Sequence, residues 1–97
     1  MPYSLEFHPD ALDEWRALDN SVRTALKRKL AKRLEHPHVP ASRLHGDLAN
    51  CYKIKHDRTG HRLVYEVMDD RLVVQVIAIG QRSALDAYRR AAGRTEN

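Results

Sequence analysis

Lys53-Ile54-Lys55, Gly60-His61-Arg62, Gly80-Gln81-Arg82 and then Tyr88 set four cations and a phenol on short alternating segments and the stretch that follows them. Side chains two apart on a strand point the same way, so Lys53 and Lys55 share a face. A turn after them folds the next segment back and can bring Arg62 beside them. Arg82 falls just past an apolar run, and Tyr88 sits where a helix can lean back over the sheet. Fixed positive charge with one phenol and no neighbouring acid pair suits a phosphate backbone. Such a set can cleave RNA without a metal if the 2′-OH attacks the adjacent phosphate. That step needs a proton acceptor for the hydroxyl, a donor for the leaving 5′-oxygen, and charge to stabilise the phosphorane. Arginine supplies two-pronged phosphate contacts. A lysine crowded by cations has a lowered pKa and can act as base or acid. Tyr88 can stack on an exposed base or take part in proton transfer. Taken singly, each is a solvated cation or a packed helix aromatic; their co-occurrence singles them out.

Other residues carry less. His36, His38, His45, His56 and His61 match no common zinc spacing, and a lone Cys51 offers no cysteine pair, so neither metal nor other cofactor is expected. Arg43, His45 and His61 are candidates for touching RNA at the rim of the basic face. Lys27, Arg28, Lys29, Lys32 and Arg33 either bind a phosphate backbone or form the solvated side of an amphipathic helix. Cys51 reads as a small packed residue and Trp15 as core. There is no glycine-rich phosphate loop and no G-x-S-x-G.

The elements that must position these groups are legible from periodicity. Tyr3, Leu5 and Phe7 alternate with polar residues as a short strand. Pro9 breaks it, and Asp10 caps or begins a helix running roughly over residues 10–18. Asp19-Asn20-Ser21 opens a second helix, with Val22, Leu26, Leu30 and Leu34 as one apolar stripe, which stops before Pro37. Residues 38–50 read as loop. Cys51–His56 and His61–Met68 are strands joined by the turn Asp57-Arg58-Thr59-Gly60. After Asp69-Asp70 comes the apolar run Leu72–Ile79, a central strand buried on both faces. Ser83 and Asp86 form a capping box for a last short helix through Tyr88 and Ala91, and residues 93–97 read as a frayed tail. The predicted fold is α+β, ordered β-α-α-β-β-β-α: a small antiparallel sheet with a helical hairpin on one face. The other face is only partly covered and carries the lysines.

Composition sets the limits. Ninety-seven residues make a single domain, 1–97, with a small core. The net charge of +4 favours an anionic partner. No apolar run approaches the roughly 20 residues that span a bilayer, so no membrane is expected. The N-terminus has no signal-peptide pattern, and a single cysteine fits a reducing, cytoplasmic compartment.

These residues resemble the RelE branch of the RelE/ParE toxin superfamily of toxin–antitoxin systems. The resemblance covers nearly the whole chain: Tyr3-x-Leu5-x-Phe7, Ala11-Leu12-x-Glu14-Trp15, Lys27-x-Lys29-Leu30, Leu44-x-Gly46, Cys51 to Lys55, Gly60-x-Arg62-Leu63-Val64-Tyr65 and Gly80-x-Arg82. The most specific stretch is Cys51 to Tyr65. It implies a type II toxin that is a metal-independent, ribosome-dependent endoribonuclease, cutting mRNA in the A site of the 70S ribosome and stalling translation. The family's catalytic lysine pair falls on Lys53 and Lys55, its arginines on Arg62 and Arg82, and its C-terminal tyrosine on Tyr88. The resemblance implies Lys55 as base or acid, Arg62 and Arg82 as phosphate and transition-state stabilisers, Tyr88 orienting the base, and Lys53 as charge support. It also implies a RelB-like antitoxin whose disordered segment wraps the toxin, with operator DNA contacted only through that antitoxin. Two departures, a loop at residues 47–50 one residue longer than usual and His45 where arginine is common, bear on affinity and codon preference. Two alternatives stay open: a ParE-like inhibitor of DNA gyrase, and a translation inhibitor that binds the ribosome or RNA without cutting.

Overall fold

In the computed structural model of this chain, residues 2–81 and 84–95 are described. The elements run β1 (Ser4–Phe7), α1 (Pro9–Arg16), α2 (Asn20–Glu35), β2 (Cys51–His56), β3 (His61–Met68), β4 (Val73–Gly80) and α3 (Ala84–Arg94). Two 3-10 turns, Pro40–Ser42 and Gly46–Leu48, punctuate the long connection between α2 and β2. No helix among the described residues is long and apolar enough to cross a membrane.

Local chemistry explains the starts and stops. Pro9 takes the first position of α1, where its missing N–H costs nothing. The His8 imidazole Nδ1 accepts from the Asp10 N–H, so the cap is His8 and not Asp10. Gly60, at φ 79°, closes the β2–β3 hairpin in a conformation that disfavours residues with a Cβ. Leu72 also has a positive φ, 53°, in the β3–β4 turn, and is half exposed. It therefore lies outside the strand that the apolar run predicts.

β2, β3 and β4 form the expected antiparallel meander, and the sheet order is β1-β4-β3-β2. β1 joins the free side of β4 in parallel, so the whole sheet is mixed. α1 and α2 cover one face. There Ala11, Val22, Leu26 and Leu30 pack on Tyr52, Ile54, Leu63, Tyr65, Val74 and Val76, all buried. Burying each large aliphatic side chain is worth about 1.5–3 kcal/mol. On the opposite face α3 lays Ala87 and Ala91 over Val64, Ile77 and Ala78, with Leu48 and Cys51 completing the cluster. β4 lies inside the sheet, and all its residues except Gln75 are buried, as its unbroken apolar run requires. The helix α3 continues through Gly93 to Arg94, into the region expected to fray.

Candidate active site

Strand alternation sorts the cations by face. Cys51, Lys53 and Lys55 lie on the α3 side of β2, while Tyr52 and Ile54 point into the α1–α2 core. The hairpin register sets Lys55 directly opposite Arg62, and Lys53 opposite Val64. Directly opposed side chains on antiparallel strands have Cβ atoms about 5 Å apart. In the next strand Arg62 pairs with Gly80, so Lys55, Arg62 and Gly80 form one row at the end of the sheet.

Tyr88 meets this row from above. It packs with the small cluster beneath α3. Burial pushes its phenol above the ordinary value, and the positive charge of Arg62 pulls it partly back. The phenol is thus neutral at physiological pH and within electrostatic reach of Arg62. Gly80 makes the approach possible: a Cβ there would lie 2.8 Å from the Ala87 backbone nitrogen, so only glycine lets α3 sit this low. Four of the five residues expected to carry chemistry, Lys53, Lys55, Arg62 and Tyr88, therefore lie on the α3 side of the sheet. Arg82, and Ser83 of the expected capping box, lie outside the described residues.

The outer edge of β2 is closed by α2. The Lys29 ammonium donates to the Lys55 carbonyl, and the Arg33 guanidinium donates to the Lys53 carbonyl at 3.2 Å. Arg33 also donates to the Tyr65 hydroxyl at 2.9 Å and to Ser42 Oγ at 3.2 Å. Buried Tyr65 in turn donates to the Pro37 carbonyl at 2.7 Å. These two members of the basic helix face are structural: they satisfy carbonyls that an edge strand would otherwise leave open. A shallow cavity of about 260 Å³ lies between α2 and β2, lined by Lys29, Arg33, Ser42, Lys53, Lys55 and Asp57.

The rim candidates spread out. Arg43 donates to the Ala49 carbonyl at 2.9 Å and bridges backbone to backbone with Tyr52 beside β2. His45 precedes the Gly46–Leu48 turn. His61 lies on the face opposite Arg62, by alternation, in a cavity with Glu14, Leu18, Gln81 and Arg90. Burial lowers its imidazole, with His56 adding to the shift, and its Nδ1 lies 2.6 Å from the Thr59 hydroxyl. Lys27 lines a cavity of about 500 Å³ with Leu5, Phe7, Trp15 and Leu34, on the β1 side of α2. Arg28 is exposed on α2. Cys51 is buried, and its thiol is pushed up to about 12, chiefly by burial, so it is no nucleophile.

Sequence reasoning missed a second polar constellation behind α3. β1 ends at Phe7, opposite Val76, so the rest of β4 has no strand on that side. Side chains fill in: Glu14 accepts from the Ile79 N–H at 2.9 Å, and Arg94 donates to the Ile77 carbonyl at 2.9 Å. Arg90 donates to the Ile79 carbonyl. Arg94 and Glu14 pair through two hydrogen bonds, 2.7 and 3.0 Å. With the two 80 positions apart in sequence, no local pattern could have flagged the pair.

A fold of this order has known counterparts. Residues 5–85 match the family model described as the ParE toxin of the type II toxin–antitoxin system, parDE. The chain belongs to this family of type II toxins. It is 46% identical over 94 residues to the mRNA interferase toxin RelE of Escherichia coli (strain K12), covering 97% of this chain and 98% of that one. The mRNA interferase RelE of Shigella flexneri matches to the same extent. The structure of E. coli toxin RelE in the free state, with two arginines changed to alanine, superposes with a TM-score of 0.90 at 45% identity, covering 99% and 100% of the two chains. A chain of the intact E. coli RelBE toxin–antitoxin complex gives 0.80 at 47% identity, covering 84% and 98%. Within the family this chain is a RelE-type toxin.

Proposed function

We propose that this toxin is a ribosome-dependent endoribonuclease that cuts mRNA in the ribosomal A site and so halts translation. The observation that carries the reading is the basic row Lys55–Arg62, with Lys53 beside it and Tyr88 above, in a chain 46% identical to an mRNA interferase. The 2′-oxygen attacks the adjacent phosphorus, the P–O5′ bond breaks, and a 2′,3′-cyclic phosphate and a 5′-hydroxyl are left. Lys55 exchanges the proton of the 2′-hydroxyl or of the leaving oxygen. Arg62 and Arg82 hold the phosphate and the charge that builds on the phosphorane. Tyr88, a neutral phenol, orients the reacting groups, and Lys53 adds charge. Arg43, His45, His61, Lys27 and Arg28 are contacts to RNA or ribosome.

Among the described residues no dedicated acid–base pair of histidines serves this row, and the ribosome supplies the substrate geometry. Naked transcripts are therefore cut poorly. The partner is a RelB-like antitoxin, as in the complex formed by the E. coli relative. The toxin acts in the cytoplasm and reaches operator DNA only through that antitoxin. The ParE name of the matching family model supports a second reading, inhibition of DNA gyrase.

A primer-extension map of mRNA ends in a purified translation reaction decides. New ends inside the A-site codon, lost with Arg82→Ala, are expected. Arrested translation on an intact message would transfer the reading to a binding inhibitor, and untouched translation with blocked supercoiling to a gyrase inhibitor.

A further inference from the structure

Among the described side chains of α3, Ala87 and Ala91 are buried against the sheet and half-buried Tyr88 packs beside them. Alanine carries a single methyl group, and an isolated helix of 11 residues is marginal in water. The contact at Gly80 fixes how closely α3 approaches, through Ala87 next to Tyr88. It does little to fix the direction in which the helix runs away from that point.

The direction is set at the far end. Arg94 reaches the Ile77 carbonyl on β4 and both carboxylate oxygens of Glu14 on α1. Glu14 at the same time accepts the Ile79 N–H. Arg90, one turn before Arg94, adds the Ile79 carbonyl and lies 3.5 Å from Glu14. The side chains of Arg94 and Glu14 are only 15% and 20% exposed, so the contact is partly shielded from water and salt. One carboxylate therefore joins α1, the unpaired margin of β4 and the C-terminal turn of α3.

We propose that Glu14 and Arg94 form a positioning clamp that aligns α3, and with it Tyr88, over the Lys55–Arg62 row. Neither residue touches RNA; both act through Tyr88. The inference rests on the endoribonuclease reading for its consequence in catalysis, while the alignment itself is a property of the free protein.

Two measurements test it. In the free toxin, the ring resonances of Tyr88 are compared among wild type, Arg94→Met, Arg94→Lys and Glu14→Gln. The Tyr88 signals should shift or broaden in Arg94→Met, less so in Arg94→Lys, while those of buried Tyr52 and Tyr65 stay in place. Unmoved Tyr88 signals would overturn the clamp whether or not the protein cuts RNA. Signals of Tyr52 and Tyr65 moving alongside would also overturn it, since the pair would then support the fold at large.

On programmed ribosomes, single-turnover cleavage is measured across toxin concentration. Arg94→Met should lower the saturated rate by about tenfold to a hundredfold, as expected for a misplaced catalytic group, with the half-saturating concentration unchanged. Combined with Tyr88→Ala it should add almost nothing to the loss from Tyr88→Ala alone. Equal losses in both backgrounds would overturn action through Tyr88. Absence of cleavage by wild type would sink the endoribonuclease reading and leave the resonance test to judge the clamp.

Discussion

Lys55 and Arg62 stand directly opposite each other across the β2–β3 ladder, two cations in a position where like charges repel. In the proposed reaction an anionic phosphate bridges the pair, with Tyr88 alongside and neutral. Arg62→Ala should lower the single-turnover rate on ribosomes by about 10²–10³, the usual loss for a charge-stabilising donor. Lys55→Ala should lose about 10²–10⁴, the range for a proton-transfer group. The double variant should lose less than the product of the two, because both serve one phosphate. Both single variants should also be more stable than wild type in low salt, since each relieves the repulsion.

Gly80→Ala tests the low seat of α3. The added methyl would meet the Ala87 backbone nitrogen at 2.8 Å, and backbone cannot rotate away. Overpacking of this kind costs about 1–3 kcal/mol. Urea unfolding should show that loss, and cleavage should fall with it, because the displaced helix carries Tyr88.

Tyr65→Phe removes one oxygen from a buried site where it donates to Pro37 and accepts from Arg33. The orphaned partners should lower stability by about 1–3 kcal/mol. Amide exchange in β2 should quicken as Arg33 loses part of its anchorage.

Acid should weaken the fold in two separate windows. Burial alone would raise the Glu14 carboxyl, but Arg94, the Ile79 N–H and the charges of Arg94 and Arg90 together hold it below its ordinary 4.5. Its stabilisation is full above the unfolded value and is lost as pH falls through the lower folded one. His61 is also lowered, mainly by burial, so its contribution is full above 6.5 and declines as pH drops below that. Denaturant midpoints measured against pH should lose the upper step in His61→Asn and the lower one in Glu14→Gln.

Much of the architecture was legible because the pattern was local. Val22, Leu26 and Leu30 announced the buried stripe of α2, and the run through Ile79 announced a central strand. The two-residue spacing of Lys53 and Lys55, and a hairpin closed at Gly60, fixed which cations share a face. What stayed hidden depends on contacts between distant parts of the chain. The parallel docking of four-residue β1 is decided by the path through α1 and α2, which periodicity does not report. Lys29 and Arg33 read as phosphate-binding or solvated helix cations because nothing local says that the open edge of β2 lies beneath them. Arg94 looked like a frayed end because its partner, Glu14, sits near the other terminus.

Cys51 gives the molecule a built-in clock. Its thiol is the chain's sole sulfhydryl, shut beneath α3 and held in the unreactive protonated form. Peroxide and alkylating agents find little thiolate at Cys51 while the fold is closed. A thiol-reactive dye would enter only when the chain opens, and its rate of uptake would time that opening.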